Sequence, residues 1–263
     1  MKVHQFHPES LMMSHGYKPE WSEGAIKCPI FQTSTFVFSK AEEGKAFFEV
    51  AYGLRDKGEK EKTGLIYSRI NNPDLEILEN RLSLWDKAEE AAVFESGMSA
   101  ITTVFLEFLK PGDLLVFSSP VYGGTDHFIR HFLNGLDVMA IEFTPKENKE
   151  AILQRIESSG RQHRLKLVYV ETPANPTNTL IDLTMCREIA NAYQTSENPE
   201  VIVAVDNTYM GPLWQHPLDH GADLSIYSAT KYIGGHSDVI AGAICGSSAL
   251  IKRLKVLRTF LGN

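Results

Sequence analysis

Cysteine is scarce in this chain. Its 263 residues hold three, Cys28, Cys186 and Cys245, far apart and without a CxxC pair. That odd, scattered set is no disulfide scaffold and suits a reducing compartment, so the expectation is a soluble, cytoplasmic protein. Long apolar runs are missing too. None approaches the roughly 20 residues of a membrane-spanning helix, so no membrane partner is expected. The opening "MKVHQFHPESLMMSHG" lacks the apolar core of a secretory signal. Positive charge is in deficit: 26 Lys and Arg against 33 Asp and Glu leave a formal charge of −7. That argues against non-specific binding to nucleic acid or acidic membranes. There is no GxSxG elbow and no P-loop, so hydrolase and nucleotide-phosphate readings lack their key parts. Repeats and low-complexity tracts are also absent. What remains is an ordinary globular composition, 43% hydrophobic and 22% charged, in a chain long enough to bury a sizeable core.

Periodicity divides the chain. Residues 1–40 show little of it; "CPIFQTSTFVFS" is β-prone and polar by turns, and the region reads as an extended arm. "FFEVAYGLRDKGEKEKTG" follows, with a charged second half that reads as a solvated loop. The division expected is residues 1–63 as arm and charged loop, and 64–263 as a ligand-binding domain. Leu75, Leu78, Leu82 and Trp85 recur at helical spacing, with a helix start at Asp74 after Pro73. From there apolar runs ("AAVF", "LLVFSS", "DVMAIEF", "LKLVYVET", "VIVAVDNT", "ADLSIYSAT", "VIAGAICG") alternate with helical stretches. Strands that alternate with helices and read as nearly unbroken apolar runs indicate an α/β fold, a mostly parallel sheet covered by helices on both faces. Leu250, Leu254, Leu257 and Leu261 form a last helical stripe, with Gly262 to end it.

In such sheets ligands bind beyond the carboxyl ends of the strands. Polar residues gather there: "ESGMSA", "SSPVYGGT", "VETPANPT", "VDNTYMGP" and "YSATKYIGG" each follow an apolar run. Asp206 ends one run. It is either a turn cap or the counter-ion of a bound cationic group such as a protonated pyridine nitrogen. Lys231 follows another. It is either a solvated loop residue or a used nitrogen, an amine whose lowered pKa lets it form a Schiff base with a carbonyl. Ser228 and Thr230, two apart on an extended segment, can face one phosphate beside it. Gly97 and Met98 open a helix whose N–H groups can bind phosphate, although Ser96-Gly97 can also be a plain cap. Tyr122 can stack on a planar ring. Phosphate binders, an aromatic lid, a carboxylate and a strand-end lysine together describe a site for pyridoxal 5'-phosphate. His127 with His131, and His216 with His220, lie four apart as in zinc sites, but neither pair has an evident third ligand.

The stretches "YSRINNP", "ESGMSAI", "PVYGGT", "VETPANPTN", "VDNTYMGP" and "YSATKYIGGHSDVIAG", in this order from Tyr67 to Gly242, resemble the pyridoxal phosphate-dependent trans-sulfuration enzymes. These are cystathionine γ-synthase, cystathionine γ-lyase, cystathionine β-lyase and methionine γ-lyase. The resemblance implies the large domain of the aspartate-aminotransferase-like fold (fold type I). It makes Lys231 the Schiff-base lysine and pairs Asp206 with the pyridine nitrogen. It puts Tyr122 on the ring, with a proton-shuttle role at the leaving group, and Asn175 near the ring hydroxyl. Gly97, Met98, Ser228 and Thr230 would hold the phosphate. Tyr67 and Arg69 would reach the phosphate site of a neighbouring subunit, within a dimer that usually sits in a tetramer. The implied activity is elimination or replacement at Cγ of cystathionine or an activated homoserine, with methionine γ-lyase or cystathionine β-lyase as alternatives. Gly124 stands where methionine γ-lyases often carry Cys, which leans away from methionine. The family's small C-terminal domain, with an arginine for the substrate α-carboxylate, would lie past Asn263. A reading of another class follows from that: an inactive fragment or a non-catalytic cofactor-binding relative.

Overall fold

The computed structural model of the chain describes residues 6–58, 61 and 64–263. Residues 59, 60, 62 and 63 of the charged loop, with the expected boundary at 63, lie outside the described residues. In chain order the α-helices are α1 (Pro8–Leu11), α2 (Ala41–Ala51), α3 (Pro73–Asp86), α4 (Gly97–Phe108), α5 (Gly123–His127), α6 (Lys149–Ser158), α7 (Leu183–Tyr193), α8 (Gly211–Trp214) and α9 (Ser248–Leu261). The strands are β1 (Glu90–Phe94), β2 (Leu114–Ser118), β3 (Met139–Phe143), β4 (Leu165–Glu171), β5 (Ile202–Asp206), β6 (Leu224–Tyr227) and β7 (Gly242–Gly246).

The strands form one sheet in the order β1-β7-β6-β5-β4-β2-β3. β2, β3, β4, β5 and β6 pair in parallel, and β7 runs antiparallel to both β6 and β1. The carboxyl ends of β1, β2, β4, β5 and β6 therefore face the same edge. Alternation along each strand feeds two cores. Leu115, Phe117, Leu167, Tyr169 and Ala204 point to one face, against Ile101, Val104 and Phe105 of α4 and Leu254 of α9. Leu114, Val116, Val168, Val170 and Val203 point to the other, against Ile152 of α6 and Ile189 of α7. With helices on both faces, both parities must be apolar, so the central strands read as unbroken runs. Each fully buried aliphatic side chain contributes about 1.5–3 kcal/mol.

Helix starts follow local chemistry. Asn72, not Asp74, caps α3: its side chain accepts from Asp74 N–H, with Pro73 at the first helical position. Ser96, Asn148 and Asp182 cap α4, α6 and α7 in the same manner. Gly262 ends α9 at φ 79°, a left-handed conformation natural to glycine.

Two expected helical stripes are corrected. The stripe expected on α3 is not its buried face: Leu82 is buried, but Leu78 is 38% exposed, and Ile77, Glu79 and Asp86 are buried instead. Glu79 accepts from Arg258 Nη1 at 2.7 Å, and Asp86 accepts from Tyr227 Oη at 2.7 Å, so polar partners from α9 and β6 decide which face turns inward. On α9 the buried residues are Ile251, Leu254, Arg258 and Thr259, and Leu261 is 45% exposed. Among its described residues the arm forms a β-bridge, Thr35 to Tyr67, rather than a strand, and it packs partly on α3. Phe31 N–H donates to Asp74 Oδ2 at 2.8 Å, and Arg81 Nε donates to the His15 carbonyl at 3.2 Å. Helix α2 is an element that periodicity missed; Tyr52 just after it stacks on Phe260 of α9.

Candidate functional site

At the shared edge, five strand ends open into a cavity of about 280 Å³. It takes in Gly97, Met98, Tyr122, Asn175, Asp206, Ser228, Thr230 and Lys231, all of them residues singled out from the sequence. Tyr67 and Arg69 lie outside it. The Arg69 guanidinium sits 5.6 Å from the Tyr67 ring centroid and donates to the Thr259 carbonyl.

The floor of the cavity is acidic. Asp206 is 5% exposed. Its Oδ1 accepts from Thr208 N–H at 3.0 Å and its Oδ2 from Tyr169 Oη at 3.4 Å. No Lys, Arg or His pairs with it among the described residues. Burial pushes its pKa up, partly offset by the Thr208 and Tyr169 hydrogen bonds. Glu171, in register with Asp206 on the neighbouring strand, is 4% exposed. Burial, reinforced by the Asp206 charge, pushes its carboxyl up to about 7.

The wall opposite is a helix start. Gly97 opens α4, and its backbone lies against the end of β6: a Cβ there would sit 2.6 Å from Ser228 Cβ and 2.9 Å from Ser228 Cα. Only glycine permits that approach. Ser96 Oγ accepts from Ser99 N–H, which leaves the first N–H groups of the helix for a ligand.

Ser228 and Thr230 reach the cavity by a different geometry from the one expected. β6 ends at Tyr227, and a turn follows in which Lys231 N–H donates to the Ser228 carbonyl at 3.0 Å. The Thr230 hydroxyl donates to the Ala241 carbonyl and accepts from Ala241 N–H, so it is tied to the backbone entering β7. Two-residue alternation fails there because the chain is no longer extended. Lys231 is exposed rather than desolvated, and its Nζ has no partner among the described residues. The cavity broadens beside it into a space of about 760 Å³, edged by Tyr209, Tyr232 and Val239, with room for a substrate at the amine.

A pyridoxal phosphate fits this donor set. A buried carboxylate without a cation suits a protonated ring nitrogen. A helix start that excludes any Cβ suits a phosphate. An unpaired amine at the rim suits an aldehyde. Three contributors escaped the sequence reading. Glu171 and Thr208 stood inside "VETPANPTN" and "VDNTYMGP" without a role, and Ser96 was read only as a cap. Strand-end position was the signal that could have found the first two. The His127 and His131 rings lie 4.4 Å apart, tilted by 39°, and no third ligand joins them among the described residues. No described helix is long and apolar enough to cross a membrane.

The comparisons point to the same cofactor. The family described as "Cys/Met metabolism PLP-dependent enzyme" matches residues 9–263. The L-methionine gamma-lyase of Treponema denticola is 38% identical over 234 residues, 88% of this chain and 53% of that protein. The putative cystathionine gamma-lyase 2 of Caenorhabditis elegans is 35% identical, covering 87% and 52%. The chloroplastic cystathionine gamma-synthase 1 of Arabidopsis thaliana is 33% identical, covering 91% and 39%. The crystal structure of metB from Corynebacterium glutamicum superposes with a TM-score of 0.78 at 27% identity, over 98% of this chain and 61% of that one. The chain thus spans about half the length of the curated lyases it matches. On the fold, the site and these matches, the chain belongs to the pyridoxal phosphate-dependent enzymes of Cys/Met metabolism.

Proposed function

We propose that this chain carries the cofactor site of a lyase or γ-replacement transferase of sulfur amino acids, acting at Cγ of cystathionine or an activated homoserine. The observation that carries the reading is the meeting of Lys231, Asp206 and the Gly97 helix start in one cavity. Pyridoxal phosphate, when bound, supplies an electron sink for charge that develops at the substrate α-carbon. The chain's own groups do the rest. The buried Asp206 carboxylate favours a proton on the ring nitrogen beside it. The N–H groups of Gly97 and Met98, with the Ser228 hydroxyl and the Thr230 segment, would hold the phosphate. Tyr122 would cover the ring and offer its phenol as proton carrier at the leaving group, and Asn175 would serve the ring hydroxyl. The Lys231 amine would bind the cofactor carbonyl and would move the proton at the substrate α-carbon.

The reading extends to a homo-oligomer, a dimer of shared sites within a tetramer. Its support is that Tyr67 and Arg69 sit together outside their own chain's cavity. The arm and charged loop (1–63) would then lie against that neighbour, and 64–263 would form the cofactor domain. A cytoplasmic setting is supported by three free cysteines. Methionine γ-lysis is the second reading, favoured by the 38%-identical relative of that name. Against it stands Gly124: a Cβ there would meet the Tyr122 ring at 2.7 Å, so a larger residue would press on that ring.

The test is a product assay on the purified chain with cystathionine, with methionine, and with acylated homoserine plus cysteine, beside a Lys231→Ala control. Turnover of cystathionine or acylated homoserine that disappears in the control supports the first reading, and turnover of methionine alone supports the second. No turnover in a chain that binds the cofactor would favour a non-catalytic relative.

A further inference from the structure

Glu171 closes β4 as a buried carboxylate that no cation meets among the described residues. What it has instead is two backbone amides from two different segments. Its Oε2 accepts from Tyr122 N–H, and its Oε1 accepts from Asn175 N–H at 2.8 Å. Its own N–H donates to Ser118 Oγ at 3.0 Å, at the end of β2. One residue thus joins the β2 end, the segment entering α5, the β4 end and the turn after it. Both residues so held line the cavity, yet both are exposed, Tyr122 at 47%. Their backbones, rather than packing around their side chains, fix where they stand.

The chemistry singles out a carboxylate. Two converging N–H groups need two acceptors. A glutamine offers one acceptor and turns a donor toward the second amide. An apolar side chain leaves both amides without a partner. We propose that Glu171 is a positioning residue for the ring site: its ionised carboxylate fixes the segments bearing Tyr122 and Asn175 relative to Asp206. This rests on the pyridoxal phosphate reading of the cavity.

Asp206 on β5 and Tyr169 on β4 itself interact electrostatically with Glu171, and Tyr122 and Lys231 are the other titratable groups lining the same cavity. Because Glu171 titrates at about 7, the clamp is incomplete at mildly acidic pH and complete at alkaline pH. A cation held at Asp206 offsets the charge that opposes ionisation of Glu171. Cofactor binding and an ionised Glu171 therefore favour one another.

The test compares the wild-type chain with Glu171→Gln. Amide hydrogen exchange at Tyr122 and Asn175 is measured without cofactor. The pyridoxal phosphate dissociation constant and the visible circular dichroism of the bound cofactor are measured across pH. The expected result is a loss of protection of about tenfold at one or both amides, the factor a charge-assisted hydrogen bond carries. The ratio of variant to wild-type dissociation constants should rise from near unity at about pH 6 to about tenfold at about pH 8.5, with weakened dichroism. Glu171→Asp keeps two acceptors on a shorter stem and should give an intermediate loss, which covers the case of a Gln variant that fails to fold. Unchanged protection, or a ratio flat with pH beside a wild type that binds, overturns the positioning role alone. A wild-type chain that does not bind pyridoxal phosphate overturns the function reading and the ring-site role together.

Discussion

Asp206→Asn should move stability and cofactor affinity in opposite directions. The side chain is 5% exposed, and among the described residues Thr208, through its N–H and its side chain, and Tyr169 Oη reach it. An asparagine retains the Oδ1 acceptor for Thr208, and its amide can donate to the Tyr169 oxygen. The hydrogen bonds survive and the charge goes. The sign follows from the raised pKa of the wild-type carboxyl. The folded chain holds that proton more tightly than the unfolded chain. The stability due to this group is fully present below the ordinary carboxylate range and is lost as pH rises through the raised folded value. Asparagine does not titrate and escapes the loss. At about pH 8 the cofactor-free variant should be more stable than the wild type by about 1–3 kcal/mol, the scale on which uncompensated buried charge acts. Its pyridoxal phosphate affinity should fall by about 10–100-fold, since a hydrogen bond to a charged group contributes about 1.5–3 kcal/mol. Urea unfolding at about pH 5 and pH 8, with cofactor titration, reads both. A variant that is less stable at alkaline pH, or that binds the cofactor as well as the wild type, refutes the assignment of Asp206 to the ring nitrogen.

Gly97→Ala puts a methyl group 2.6 Å from Ser228 Cβ, so helix α4 and the β6 end must part, at a cost of about 1–3 kcal/mol in urea unfolding. Its affinity for pyridoxal phosphate should fall more than its affinity for pyridoxal, and equal losses would argue against a phosphate at the helix start. Glu79→Ala strands the buried Arg258 guanidinium, leaving the Val93 carbonyl as its partner, and should cost about 3–5 kcal/mol. A loss under about 1 kcal/mol in chemical denaturation would contradict that pairing. In the wild type, Glu171 should reduce stability by about 3 kcal/mol as pH rises from about 4.5 to about 7, because its carboxyl titrates near 7 when folded. Glu171→Gln should remove that slope.

The parallel core was legible because its strands are buried on both faces. "LLVFS", "LKLVYVE" and "IVAVD" could hardly be anything else once helical stretches separated them. Asp206 and Lys231 were legible for the opposite reason, since each is a charge where an apolar run stops. Glu79, Asp86 and Arg258 were not, because their burial depends on partners 140 or more residues away that no local period encodes. Helix α2 was hidden because its Phe47 packs on Phe38 of the arm, and Tyr52 just after it on Phe260 of α9, partners that the sequence does not place beside it. Glu171 was hidden because it serves backbone amides, which leave no pattern in sequence. The roles proposed for Tyr67 and Arg69 come from the family resemblance, since nothing in their spacing suggested them.

The central claim is that Lys231 is the amine that binds the cofactor carbonyl. Incubation of the chain with pyridoxal phosphate, borohydride reduction and peptide mass mapping tests it most directly. The account predicts the reduced cofactor on the peptide containing Lys231, and no label in Lys231→Ala. Label on another lysine at equal yield, or none on the wild-type chain, would contradict it.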